Sequence, residues 1–134
     1  MNVKINVKMK LSEIMKRARF VHHGNKKLLL FDFSGLEKEE AQQVMNYSTQ
    51  MISHMPKASV LTLTDVTGLK YDDELKEDFK RFADHNRPHV VAGAVVGVTG
   101  WKKLIYLAAL KLSGRTNLHL FNDVEEAREW LGRF

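Results

Sequence analysis

The sequence predicts an α/β protein: a single compact domain with a mixed, mostly parallel sheet and about four helices. Three observations predict it. Beyond a first hairpin, short apolar runs rich in β-branched residues alternate with stretches whose apolar residues recur at helical spacing. Three of those runs end on the same kind of loop, a hydroxyl residue followed by glycine: "DFSG" around Ser34, "DVTG" around Thr67 and "GVTG" around Thr99. The three hydroxyl residues stand 33 and 32 positions apart, which is one strand-and-helix unit each.

The elements follow in order. Residues 3 to 7 place Val3, Ile5 and Val7 on one side and Lys4 and Asn6 on the other, the period of a half-buried strand whose partner the sequence does not name. In "ARFVHHGNKKLLLFDF", two β-like runs flank Gly24 and Asn25, residues that tolerate positive φ, so a hairpin is expected. The run 28 to 33 is apolar except for Asp32, as in a strand covered on both faces. From Glu37 to Met55, Ala41, Val44, Met45, Ile52 and Met55 share one helical face, and Pro56 ends the helix. The methionines Met45, Met51 and Met55 are read as core.

A strand over 59 to 64 precedes a helix over about 72 to 86, whose acidic start (Asp72, Asp73, Glu74) and basic end (Lys80, Arg81, His85) complement the helix dipole. The uncharged, valine-rich run 90 to 97 reads as a central strand. A helix over about 101 to 113 ends at Ser113-Gly114, a strand over 117 to 121 follows, and Asp123 with Glu126 starts a final helix as a capping box. The division is thus a basic arm and first hairpin strand over 1–26, then an alternating core over 27–134, with parallel strands joined by crossovers.

Composition limits the function classes. The formal charge is +5, but residues 1 to 30 hold eight Lys or Arg against Glu13 alone, while the rest of the chain is nearly neutral. That charge reads first as a solvated face, with an anionic partner as the sharper alternative. The arm lacks the interleaved aromatics that stack bases, so nucleic acid is not the expected partner. With no cysteine there is no disulfide or thiolate chemistry. No apolar stretch approaches the roughly 20 residues of a membrane span, and no continuous apolar segment near the start resembles a signal peptide, so a cytoplasmic location is expected.

If the strands are parallel, the three hydroxyl-glycine loops open on one edge, beyond the carboxyl ends of the strands, where open α/β sheets place ligands. Ser34, Thr67 and Thr99 could simply cap helices; Glu37 would complete a capping box for Ser34. Lys70 and Lys102, with Lys103 beside it, oppose the dipole at a helix start unless an anion or an acidic neighbour such as Asp32 or Asp65 offsets them. The candidate ligand or partner edge is therefore Asp32, Ser34, Gly35, Asp65, Thr67, Gly68, Lys70, Thr99, Gly100, Lys102 and Lys103. On the helix that follows, Trp101, Leu104, Ile105, Ala108 and Leu112 form one face, and Tyr106, Leu107 and Leu110 make the other side apolar too. Burial in the core, a homodimer or partner contact centred on Trp101, Tyr106, Leu107 and Leu110, and a membrane surface aided by Lys102, Lys103 and Lys111 all fit that pattern.

Catalytic and metal motifs are not found. His22 and His23 face opposite ways on a strand, and the spacing of Asp72, Asp73, Glu74, Glu77 and Asp78 is not that of a calcium loop. Gly93, Gly97 and Gly100 do not form a dinucleotide fingerprint, and no serine or threonine has a histidine base placed beside it by sequence. No cofactor, no metal and no enzymatic activity are expected.

"LLLFDFSGLEKEEA", "SVLTLTDVTG", "FADHNRPHV", "AVVGVTGWKKL" and "LFNDVEEAREWL" together resemble the bacterial SpoIIAA-like group, over roughly residues 20 to 133. That group is related to STAS domains (sulfate transporter and anti-sigma factor antagonist). The resemblance implies a compact α/β domain with a mixed sheet, and a regulatory or binding role through protein partners. Anti-sigma antagonists are switched by phosphorylation in an Asp-Ser-Ser-Gly loop, which by position falls on Asp65-Val66-Thr67-Gly68. The serine directly after the aspartate is replaced by Val66, leaving Thr67 as the nearest hydroxyl. A likeness of the group to CRAL-TRIO lipid-binding domains adds a small anionic or amphipathic, lipid-like ligand as the alternative to a protein partner.

Overall fold

The computed structural model describes residues 9–100, 102–103, 106–108 and 114–134. The expected strand over 3 to 7 lies outside the described residues, as do Trp101, Leu104, Ile105, Leu110, Lys111 and Leu112. A short helix α1 (Leu11–Arg17) leads into the hairpin β1 (Ala18–His23) and β2 (Lys26–Asp32). Then come α2 (Lys38–Ser53), β3 (Val60–Asp65), α3 (Asp73–Asn86), a 3-10 turn (Arg87–His89), β4 (Val90–Val96), β5 (Leu118–Phe121) and α4 (Val124–Leu131). Residues 102–103 and 106–108, between β4 and β5, are helical.

The strands lie in sequence order, β1-β2-β3-β4-β5, with β1 antiparallel and the others parallel. Both faces are covered. On one, Leu29, Phe31 and Phe33 meet Ala41, Val44 and Ile52 of α2 and Leu75 and Phe82 of α3; on the other, Leu28, Leu63, Ala92, Ala94 and Val96 meet Ala127 and Leu131 of α4. Covering on both sides is why 28 to 31 reads as an unbroken apolar run rather than an alternating one. Met45 is buried and Met51 and Met55 pack partly buried against the same core, as the sequence leads one to expect.

Two local features differ from expectation. Leu11–Arg17 is helical, where the sequence shows only a basic arm. Seven residues are too few to hold a helix alone, and α1 is held by tertiary contact, with Ile14 packed on the core and Met9 N–H donating to Gln43 Oε1 at 2.9 Å. Ser34 does not cap α2. The cap is Glu37, whose backbone N–H donates to Glu40 Oε1 at 3.0 Å in a reciprocal capping box displaced three residues along the chain from the expected one. Ser34 is already engaged by Asp32, and Leu36, buried between the two, takes up the intervening chain.

Candidate functional site at the carboxyl edge of the sheet

The parallel register sets Asp32 beside Asp65 and Asp65 beside Val96, so the loops leaving β2, β3 and β4 emerge side by side on one edge. The first two are built alike. Asp32 Oδ1 accepts the Ser34 backbone N–H at 3.0 Å and the Ser34 hydroxyl at 2.5 Å; Asp65 Oδ1 accepts the Thr67 N–H at 2.9 Å and the Thr67 hydroxyl at 2.6 Å. Each carboxylate thereby closes a turn around its own chain, the local bonding that makes Asp and Thr good turn residues. Gly35 and Gly68 follow with φ of +67° and +69°, which glycine alone adopts without penalty. The loops are also joined: Phe33 N–H donates to Asp65 O and Gly35 N–H to Thr67 O, both at 2.8 Å.

The third loop departs from the pattern. Gly97 stands where the other two motifs have aspartate, and it turns the chain with φ +97° directly against Thr67. Val66 N–H donates to Val96 O at 2.9 Å, tying the second loop to the third. Thr99 and Gly100 are exposed, and Gly100 O accepts the Lys103 N–H at 3.1 Å.

Charge divides the two aspartate loops. Arg17 Nη1 donates to Ser34 O at 2.7 Å and lies 3.5 Å from Asp32 Oδ1, so the first loop is clamped by a cation and Ser34 is half-buried. Among the described residues no cation pairs with Asp65, and Thr67 and Gly68 are exposed. Neither Asp32 nor Asp65 is the acidic neighbour of Lys70. That role falls to Glu37, 2.8 Å away, and the pairing raises the Lys70 pKa. Lys38 bridges Asp72 at 3.2 Å and Glu74 at 2.5 Å, which links the start of α2 to that of α3. Lys102 Nζ sits 5.4 Å from the centre of the Tyr71 ring, and Lys103 Nζ donates to Asn122 Oδ1 at 3.0 Å. Lys102 and Lys103 therefore find aromatic and amide partners; among the described residues neither charge is neutralised by a carboxylate. Of the expected partner-helix residues, Leu107 is 43% exposed, while Tyr106 is half-buried and desolvation raises its pKa.

A groove of about 450 Å³ runs between α2 and α3, lined in part by Gln42, Asn46, Thr49, Asp78, Arg81 and His85. Sequence reasoning missed the Arg17 clamp and the Gly97 contact. The first was within reach: counting the hairpin register back from the Gly24-Asn25 turn, past Ala18 opposite Phe31, brings Arg17 opposite Asp32. The second was not, because it depends on the close approach of two loops.

A family model described as SpoIIAA-like matches residues 33–132. Among solved structures, an uncharacterised protein of the DUF3478 family with a SpoIIAA-like fold, from Shewanella loihica PV-4, superposes with a TM-score of 0.67. The match covers 85% of this chain and 91% of that one at 16% sequence identity, and so speaks to the fold alone. No curated protein matches the sequence.

Proposed function

This chain belongs to the SpoIIAA-like family, and on that premise we propose that it is a non-catalytic regulatory module that engages a protein partner at the carboxyl edge of its sheet. One observation carries the reading: of two aspartate-clasped loops locked side by side, one is held by Arg17 and the other presents Thr67 and Gly68 to solvent. A rigid frame bearing an exposed hydroxyl loop is a surface suited to recognition. A phosphate on Thr67 would remove the hydroxyl that donates to Asp65 and set like charge beside that carboxylate, opening the turn. The loop is in that sense a switch element as well as a contact.

Lys102 and Lys103 make the same edge attractive to anions, which supports acidic partner groups and, as the second reading, a small anionic or amphipathic ligand held there. The test is the double variant Lys102→Glu, Lys103→Glu. Its amide spectrum away from the edge should match the wild type while capture of bound protein is lost. Retention of the same bound proteins would remove the partner reading. Titration with inorganic phosphate and with a phospholipid headgroup, followed at Gly35, Gly68 and Gly100, separates the second: saturable shifts there support it and their absence ends it.

A further inference from the structure

A second site lies away from the edge. Between α3 and the middle of the sheet is a half-open pocket of about 50 Å³. Phe82 and Leu118 supply apolar wall, but Thr62 and Thr64 of β3, Asn86 at the end of α3, Tyr106 and Arg115 also line it. Of these, Thr62 and Asn86 are buried, and buried polar atoms are costly unless hydrogen-bonded.

Asn86 makes the case sharper. It is only 5% exposed, and among the described residues its Oδ1 accepts no hydrogen bond. Thr62 is equally buried, and on the sheet it stands between Leu29 and Gly93, in a row where a valine or leucine would pack. At the pocket's rim Arg115 is positioned by its own bonds, Nε to Asn117 Oδ1 at 2.9 Å and Nη1 to Ala83 O at 3.3 Å. Asn86 lines the pocket, and a buried acceptor without a partner is completed by a donor that reaches it.

We propose that this pocket is a binding site for a small uncharged amphiphile, a short-chain alcohol or primary amide, whose hydrogen-bond donor meets Asn86 Oδ1 and whose carbon body rests against Phe82 and Leu118. A volume of about 50 Å³ takes roughly three to five water-sized groups, the size of such a molecule. The site is independent of the edge and does not rest on the function proposed there.

The experiment is a titration of the isotope-labelled full chain with n-butanol and with its isomer diethyl ether, which has the same atoms and no donor. Amide shifts at Thr62 and Leu118 and the Asn86 side-chain carboxamide are followed. Saturable shifts with n-butanol, about tenfold weaker with the ether, are expected from the loss of one buried hydrogen bond. In Asn86→Leu the preference should disappear. Equal response to the two isomers, no saturation with either, or shifts confined to Gly35, Gly68 and Gly100 would each overturn the proposal. Should Asn86→Leu fail to fold, the two titrations of the unaltered protein decide.

Discussion

Gly97 lies so close to Thr67 that a Cβ on it would stand 2.5 Å from the Thr67 backbone nitrogen and 2.7 Å from its Cα. Backbone cannot swing aside as a side-chain tip can, and the φ of +97° is one that other residues rarely adopt. Gly97→Ala should therefore destabilise the fold by about 2 kcal/mol or more, from overpacking and backbone strain together. Gly35→Ala shares the positive φ but meets nothing within 4 Å, so it should cost only about 1 kcal/mol. Urea unfolding of the two variants measures the difference; equal costs would mean that the Gly97 contact is slack.

The Arg17 clamp should be felt locally. With side chains about 30% exposed on both partners, Arg17→Gln should lower global stability by about 1 kcal/mol at most. Amide exchange at Ser34 and Gly35 should speed up more than exchange at Thr67 and Gly68, whose loop has no such clamp. Uniform acceleration across both loops would show that they open as one unit.

Tyr71 sets an alkaline limit. Burial, then the neighbouring Tyr106 and Glu77, push its pKa up to about 12. A group whose folded pKa is raised stabilises the fold fully below its unfolded value, near 10, and that contribution is lost as pH rises towards 12. Stability should fall across that window, and Tyr71→Phe should flatten the fall. Tyrosinate absorbance recorded alongside unfolding tests it: normal ionisation of all three tyrosines near pH 10 in the folded protein would contradict the burial of Tyr71.

Asp123 caps α4, its carboxylate accepting the Glu126 N–H at 2.8 Å. Asp123→Ala should cost about 1 kcal/mol, and Asp123→Asn much less, because the amide oxygen accepts the same bond. Thermal or urea unfolding separates the two; a large loss in the asparagine variant would show that charge rather than the hydrogen bond holds the helix start.

At the start of α3, Asp72 accepts the Leu75 N–H and lies beside Lys38, and that bond, followed by the lysine, lowers its pKa. A carboxylate lowered in the folded state contributes stability above its unfolded pKa and loses it as pH falls below about 4. Acid unfolding should therefore begin at a lower denaturant concentration below that pH, and Asp72→Asn, which retains the cap but not the ion pair, should weaken the dependence. An unchanged acid limb in Asp72→Asn would assign it to other carboxylates.

Much of the architecture was legible. Continuous apolar runs marked β2 and β4, because both faces of this sheet are covered, and a spacing of about 3.6 marked α2, because one side of that helix faces the core. Strand ends shifted by a residue, as with β3 at Val60–Asp65 rather than 59 to 64, since the last pair depends on a neighbour's register. Helix α1 was not legible: its sequence is basic, Leu11 and Met15 stay exposed, and tertiary contacts of Ile14 and Met9 hold it.

The candidate edge divides in the same way. The Asp-x-Ser/Thr-Gly turns are local, since the carboxylate binds atoms two residues ahead, and so the sequence by itself determined them, together with the α/β alternation that brings them to one edge. Which loop is clamped, that Glu37 and not an aspartate answers Lys70, and that Gly97 must be glycine were decided only by the tertiary structure. Those contacts join residues 15 to 33 positions apart along the chain, and only the packed sheet brings such residues within bonding distance.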